Sequence, residues 1–487
     1  MPPKSFQPSM SAALLSPAVL SPAALSSALL CLLLTGCALT PPNAQAPLVI
    51  PAAFKEAGPW QPAAAQTPVP DAWWTLFQDP VLNDLQDRLV VGNQNLQSVV
   101  SQVANARAVL DASESAGRPT LSAGLSATRT RNPENANGVT VNTRGPSNNV
   151  SLSGSASWEI DLWGRLKQAT IGAQAQLQAS VNDLAAARLS AQATLAQTYF
   201  SMRSAEAQYT LLERSVQAYQ RSLDLTQLRY DAGVVARSDV LQAQTQLKSA
   251  QAQMLESGTQ RAQFEHAIAV LLGLPPSELT LARNATLPPP PAVPELLPST
   301  LLERRPDIAA AQRRVAAAYA QIGVTDAAFY PSLNLSASAG FRNSSLVNLI
   351  STPNLFWSLG SSLAQVIFDG GQRKLASAQA RNNADQATAI YRQTVLTALQ
   401  EVEDNLVLAD QLQGQAQLQD EALQAARRNQ EIALDQYRAG TVSYLNVVIA
   451  QTAVLNSESS LLNVRNRQLA AVNQLLKNIA GRWDSAG

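Results

Sequence analysis

Cysteine is almost absent: two occur in 487 residues, Cys31 and Cys37, both near the N-terminus. Such a pair cannot make a disulfide framework, so stability must come from packing and assembly. Histidine is rarer still. With His266 alone, a histidine metal cluster or a Ser-His-Asp triad could form only through that residue, and its Ala- and Leu-rich setting predicts a structural role. Charge of one sign is also missing. Basic and acidic side chains number 35 each, which leaves no field to draw nucleic acid. Beyond Cys37 no unbroken apolar run reaches the roughly 18 residues of a spanning helix. If this chain crosses a membrane, it does so with strands.

What is present begins with an address. Lys4, the apolar residues 23–34 and the small residue before Cys37 supply the basic start, apolar core and cleavage site of a signal peptide over residues 1–36. Leu34-Thr35-Gly36-Cys37 resembles a bacterial lipobox. The resemblance implies an N-acyl and S-diacylglycerol lipid on Cys37, and two or more chains anchor stably where one is marginal. Ala38 stands where lipoproteins of the inner membrane typically carry Asp, which favours the outer membrane. Residues 37–78 read as a lipidated, Pro- and Ala-rich arm.

Asp79-Pro80 sets a capping carboxylate before a proline at the first helical position, predicting a helix from there to Gly117. Residues 165–232 contain one glycine, Gly172, and residues 372–439 one glycine, Gly414; neither stretch has proline. At 1.5 Å per residue each is a rod about 100 Å long, more than a globular core can cover, so the rods must pack side by side. Val448, Leu455, Leu462, Leu469 and Leu476 recur every seven residues, the period of left-handed supercoiling. The alternate seam of Leu445, Thr452, Ser459, Asn466 and Asn473 is mostly small or polar. That mixture suits a wide, partly wet assembly of helices.

Residues 119–128, 150–162 and 333–341 alternate apolar with small polar side chains, and 356–368 less regularly; the pattern is sharpest as Val150, Leu152, Ala156, Trp158, Ile160 and Leu162 against Ser151, Ser153, Ser155, Ser157, Glu159 and Asp161. Each is a strand with one oily face, about the length a membrane requires. Lipid offers no hydrogen-bond partners, so strands cross it only as closed barrels, and four are too few to close one. Several copies must pool their strands around a lumen of serine and threonine, with Glu159 and Asp161 near one end. The long helices are expected to extend that tube into the periplasm.

The chain also repeats itself. Tyr230-Asp231-Ala232-Gly233 matches Tyr437-Arg438-Ala439-Gly440, and Ala243-Gln244-Thr245 matches Ala450-Gln451-Thr452, at a constant offset of 207 residues. The expected domains are a first repeat over 79–286, a Pro-rich linker over 287–299, a second repeat over 300–481 and a tail over 482–487. Gly233 and Gly440 supply the positive backbone angle of a tight helix-to-helix turn. Glu401, Glu403 and Asp404 read as a solvated helix face, and Arg304, Arg305 and Asp307 as capping and ion-pairing groups around Pro306. Trp158 and Trp163 fit either a membrane interface or a packed junction.

Trp73-Trp74 with Phe77-Gln78-Asp79-Pro80, the run from Trp158 to Arg165, the run from Glu265 to Gly273, Arg304-Arg305-Pro306-Asp307-Ile308 and Ala328-Phe329-Tyr330-Pro331-Ser332-Leu333 occur in that order. Carrying them, the chain resembles the TolC-like outer-membrane efflux factors, most closely their lipoprotein branch. The resemblance implies a mainly α fold with a membrane β-barrel: a homotrimer, a twelve-stranded barrel from four strands per chain, and a coiled-coil helical tunnel. It implies a periplasmic adaptor and an inner-membrane pump as partners. The adaptor contact would fall at the turns Gly233, Val234, Val235 and Gly440, Thr441, Val442. It further implies a gate, where relatives often carry a ring of aspartates; here the positions hold Asn446 and Ile449, with Asp239 retained at the place in the first repeat equivalent to Asn446.

The expected function is therefore a passive outer-membrane duct of a tripartite efflux pump, with no cofactor beyond the lipid and no enzymatic activity. A type I protein-secretion channel and a non-transport trimeric coiled-coil lipoprotein are the alternatives. Mass spectrometry of the mature N-terminus is expected to find an acylated Cys37; an unmodified terminus elsewhere would contradict the lipobox. Cys37→Ser should impair processing and weaken retention while leaving a barrel in the membrane.

Overall fold

The computed structural model describes residues 54–55, 72–131, 135–136, 139–140, 145–291 and 305–479. The signal peptide, Cys37, most of the arm, Arg304, residues 292–299 of the linker and the 482–487 tail lie outside the described residues. The described chain divides into two compact units, one made of Gly117–Lys167 and Gly323–Gly370, the other drawn from Pro42–Ala116, Gln168–Ile322 and Gly371–Gly487.

The first unit is a sheet. Its strands are β1 (Thr120–Thr130), β4 (Ser147–Ile160), β5 (Ser332–Asn343) and β6 (Leu355–Ala364), antiparallel throughout in the order β1-β4-β5-β6. These are the four alternating segments of the sequence with shifted ends. A short ribbon, β2 (Asn135–Ala136) with β3 (Val139–Thr140), was not expected and adds a second sheet. β6 stops four residues before the expected Phe368, because its partner β5 begins at Ser332, opposite Ala364, directly after Pro331. Proline has no N–H with which to continue a ladder. Ile367 and Phe368 are left exposed.

β4 ends at Ile160 instead of Leu162 because the next carboxylate is needed elsewhere. Asp161 accepts from the backbone N–H groups of Leu166 (3.1 Å) and Lys167 (2.8 Å), capping the helix that follows. Glu159 is gripped by the Arg165 fork, Nη2 reaching Oε1 at 2.8 Å and Oε2 at 2.7 Å. Both carboxylates are thus engaged by the start of the helix that follows. Trp163 belongs to the packed junction: its Nε1 donates to the Pro331 carbonyl at 2.7 Å and its ring stacks on Tyr330. Trp158 donates to the Gly117 carbonyl at 3.0 Å and remains partly exposed.

The second unit is helical: α1 (Pro80–Gly92), α2 (Gln94–Ala116), most of α3 (Arg165–Asp231), α4 (Arg237–Leu271), most of α5 (Pro306–Ala327), α6 (Gln372–Arg438) and α7 (Tyr444–Ile479). α3 and α6 are 67 residues each and start 207 residues apart. Asp79 caps α1 as expected, accepting from Val81 and Leu82. The helix predicted to run on to Gly117 instead breaks at Asn93, whose backbone is extended. Asn93 caps α2 through Leu96 N–H (2.9 Å) and donates to the Leu271 carbonyl (2.7 Å). A Cβ on Gly92 would lie 2.1 Å from the Leu272 carbonyl oxygen, and one on Gly273 2.1 Å from that of Gly92. Two backbones cross here with no room for side chains.

Around this crossing lies the main core, in which Trp73, Leu82, Leu85, Leu89, Tyr199, Phe200, Ile268 and Leu475 are fully buried. Each such side chain contributes on the order of 2 kcal/mol of transfer free energy. The α7 seam is mixed as expected, with Leu455, Leu469 and Leu476 buried and Val448 and Leu462 half-buried. Its polar positions are matched from other helices: Gln246 donates to Thr452 (3.1 Å), Gln208 to Ser459 (3.0 Å) and Asn473 to the Ala193 carbonyl (2.9 Å). Leu445 leaves the seam and is exposed, Tyr444 and Val447 being buried in its place.

Buried charge pins the extended chain after α4. Arg203 and Glu206, each side chain 3% exposed, pair at 2.7 Å, and Glu206 also holds Arg261, which holds Glu265. The same groups bind the carbonyls of Leu281 and Ala282 and the amides of Leu281 and Asn284. At the start of α5, Arg305 forks onto Asp307 and reaches Glu401 and Asn478, the ion-pairing role expected of it. Glu206→Gln should lower stability by about 3 kcal/mol, because the buried Arg203 guanidinium loses its counter-charge and Arg261 keeps only Glu265. The exposed pair Arg438–Asp435 should contribute under about 0.5 kcal/mol when broken by Asp435→Asn. Equal melting shifts for the two variants would show that burial does not govern these pairs. Burial opposes ionisation of Glu265, yet the Leu281 amide and Arg261 outweigh it and hold the carboxyl below its ordinary value. Its stabilisation is thus present above the unfolded pKa and lost as pH falls through the lowered one, which acid unfolding of Glu265→Gln should reveal.

Candidate functional site

Two places carry functional geometry, one in each unit. In the sheet, register sorts every side chain to one of two faces. Leu125, Leu152, Phe341 and Leu355 form one row of the oily face; Ala123, Gly154, Ala339 and Trp357 form the next. The other face is a ladder of hydroxyls: Ser122 meets Ser155, Ser126 meets Ser151 and Ser338 meets Ser358, each at 2.8 Å. Such a face is wetted by water and carries little charge or shape to select a solute. β1 and β6 each leave one edge unpaired within the chain. No described helix is long and apolar enough to cross a membrane.

In the helical unit the two turns share one geometry. At the first, Gly233 has φ +74°, its N–H donates to the Tyr230 carbonyl (2.8 Å), and Val234 N–H reaches Arg229 (2.9 Å). At the second, Gly440 has φ +77°, with Gly440 N–H to Tyr437 and Thr441 N–H to Gln436, both 3.0 Å. Both are Schellman caps, which satisfy the last helical carbonyls through one left-handed residue. Val234 and Thr441 are exposed, Val235 and Val442 half-buried. Asp239 is in the first turn of α4 and half-buried, and Asn446 and Ile449 lie on α7, Asn446 exposed and Ile449 58% exposed.

A clasp joins the turns, and no spacing in the sequence announced it. Arg229 donates through Nη1 to the Tyr437 carbonyl (2.6 Å) and through Nη2 to that of Arg438 (3.1 Å), with its guanidinium 4.7 Å above the Tyr437 ring. Tyr437 packs on Tyr444 beside Ala243 and Val447. Burial, then the neighbouring Tyr437 phenol, pushes the Tyr444 hydroxyl up to about 12, and the Asp239 carboxylate adds to the rise. Tyr444 therefore stays neutral across the physiological range.

The remaining candidates fall into separate surroundings. His266 is exposed near the end of α4. Glu401 serves Arg305, Glu403 accepts from the Lys55 N–H at 2.8 Å, and Asp404 accepts from Gln400. Among the described residues no group of three His, Cys, Asp or Glu side chains could hold a metal ion.

The family model described as outer membrane efflux protein matches residues 85–274 and 297–481. The antibiotic efflux pump outer membrane protein ArpC of Pseudomonas putida is 30% identical over 456 residues, covering 93% of this chain and 94% of that protein. The toluene efflux pump outer membrane protein TtgF, also of Pseudomonas putida, is 30% identical over 461 residues, covering 93% and 95%. The solved outer-membrane channel OprN superposes with a TM-score of 0.85 at 28% identity, covering 91% of this chain and 99% of that one.

The turns make a test independent of function. A Cβ on Gly440 would meet nothing within 4 Å, so the cost of Gly440→Ala is purely that of the backbone angle, about 1 kcal/mol. Gly414 is equally uncrowded but lies inside α6, so Gly414→Ala should instead stabilise by about 0.5–1 kcal/mol. Thermal unfolding of both variants checks the opposite signs.

Proposed function

The chain belongs to the outer membrane efflux protein family, and from that membership we propose that it is the outer-membrane channel of a tripartite efflux pump. It acts as a passive duct through which an inner-membrane pump and a periplasmic adaptor discharge drugs or other small toxic compounds. The observation that carries this reading is the four-stranded sheet with one oily face, one hydroxyl face and two open edges. An open edge is intolerable in lipid, so copies must join edge to edge until the ring closes. Three copies give twelve strands, an oily exterior and a hydroxyl-lined lumen. ArpC is named for antibiotics and TtgF for toluene. For this chain a lumen of small hydroxyls fits the same breadth of cargo, with the choice left to the pump.

In this reading the exposed turns at Gly233-Val234-Val235 and Gly440-Thr441-Val442 meet the adaptor. Asp239, Asn446 and Ile449 line the constriction near them. Asparagine and isoleucine close it by hydrogen bonding and apolar contact, so cation block is weaker than in a channel ringed by aspartates. Cys37 bears the lipid that tethers the arm.

Planar-bilayer recording of the full-length protein should show discrete conductance steps, and native mass spectrometry three copies. A protein that binds membranes without conducting would be a structural lipoprotein instead. Val234→Glu and Thr441→Glu should abolish drug efflux while the trimer and its conductance persist. Full resistance in both variants would remove the adaptor from these turns. Ile449→Asp should strengthen block by divalent cations from the side of the turns.

A further inference from the structure

The oily face gives way to positive charge at the end of β1, whereas the hairpin from β5 to β6 carries the exposed Leu346, Val347 and Ile350. Register aligns the apolar rows from Ile160, Leu333 and Leu363 at one end to Ala127 and Val150 at the other. Along β4 this spans ten residue steps, or about 33 Å at 3.3 Å per residue. Tilted by about 40°, such a band is about 25 Å tall, the apolar height of an outer-membrane barrel. The next position on that same face is Arg129, paired in register with Asn148. Arg131 follows two residues later, just past the end of β1.

Both arginines are exposed, and neither makes a hydrogen bond or ion pair among the described residues. No carboxylate is near in the sheet. Glu159 and Asp161 stand at the opposite end of β4, committed to Arg165 and to the amides of Leu166 and Lys167. The described parts of the two hairpin ends, residues 128–131, 145–149 and 341–356, contain arginine but no acidic residue; Glu134, in the same hairpin as Arg131, lies outside the described residues. Arg342 is the third arginine there and has a different assignment. It lies on the hydroxyl face, its guanidinium 5.0 Å above the Phe356 ring.

These strand ends are the ones joined by hairpins; at the other ends the chain leaves the sheet for helices. With the helices in the periplasm, as the proposed function has it, the hairpin ends face outward. Arg129 and Arg131 then sit at the boundary between hydrocarbon and the headgroups of the outer leaflet. A guanidinium at such a boundary is poorly solvated on its lipid side. Its planar fork matches a phosphate group with two parallel donors. Charges at this depth are screened less than in open water, which favours a bound anionic headgroup over a passing ion.

We propose that Arg129 and Arg131 form a binding site for the phosphate groups of outer-leaflet glycolipid. The site holds the barrel at a fixed depth by gripping the headgroups that border its oily band. It rests on the barrel reading, and the two can be tested apart.

Full-length protein in detergent is titrated with bis-phosphorylated lipid A, with its dephosphorylated counterpart and with inorganic phosphate, bound lipid being counted by native mass spectrometry. Wild type should retain the phosphorylated lipid. Arg129→Gln/Arg131→Gln should weaken it about tenfold. Arg342→Gln should leave it unchanged, and the double Arg→Lys variant should fall between, keeping charge but losing the fork. Planar-bilayer conductance of each variant at the wild-type level establishes that it has folded; if the Gln pair does not fold, the Lys pair carries the comparison. Equal retention by wild type and the arginine variants, equal binding of dephosphorylated lipid, or displacement by millimolar inorganic phosphate would overturn the site. If wild type conducts but is indifferent to phosphate on the lipid, only this inference fails. If wild type does not conduct at all, the barrel reading fails with it.

Discussion

A backbone in hydrocarbon must find all its hydrogen-bond partners within protein, and that constraint shapes the rest of the molecule. The sheet satisfies it internally for β4 and β5, which are paired on both sides, and leaves it unmet at the outer edges of β1 and β6. In the proposed channel, closure comes from other copies. Once copies are needed, the helices cannot follow the rules of a globular core either. A 67-residue helix offers far more surface than one chain can cover, so exposed apolar residues such as Leu228, Leu255, Leu375 and Leu418 are expected on a surface awaiting neighbours.

The polar seams follow from the same demand. A seam packed only with leucine would favour a tight bundle with no bore. Here Gln208, Gln246 and Asn473 cross between helices to hydroxyls and a backbone carbonyl, holding helices at defined distances while tolerating water. The Arg203–Glu206–Arg261–Glu265 chain serves a different end. Its carboxylates and guanidiniums meet the backbone of residues 281–284, giving partners to an extended segment that has no ladder or helix of its own. Buried charge contributes little net stability in such a place, but it fixes where that segment lies.

Much of this was legible in the sequence because it depends on period and on single special residues. The two long helices were found to within a residue at each end by the absence of proline. The strand faces followed from alternation, and the turns from glycines that need a left-handed backbone. Apart from the end of β4, set locally by Asp161, the misplaced features depended on a distant partner. The break at Asn93 exists because Leu271 and Gly273 cross there, and the end of β6 is set by Pro331 on the neighbouring strand. The Arg229 clasp joins residues 208 positions apart. No local pattern encodes a contact of that kind, and arginine near a helix end has a sufficient explanation in the helix dipole alone.

The repeat shows which requirements are local and which are not. Gly233 and Gly440 adopt nearly the same φ, and their caps use the same hydrogen bonds. The backbone of a turn cannot be made otherwise with so few residues. Side chains one step away have diverged: Tyr230 is 38% exposed, while its equivalent Tyr437 is 3% exposed under Arg229 and against Tyr444. Arg229 itself corresponds to Gln436, and Asp239 to Asn446. Each substitution matters only in relation to the other hairpin, so the first hairpin supplies the cation and the second the ring and carbonyls that receive it. A duplicated chain kept symmetric at these positions would present two cations or two rings to each other. Divergence between the halves is therefore what allows one copy of the turn to hold the other.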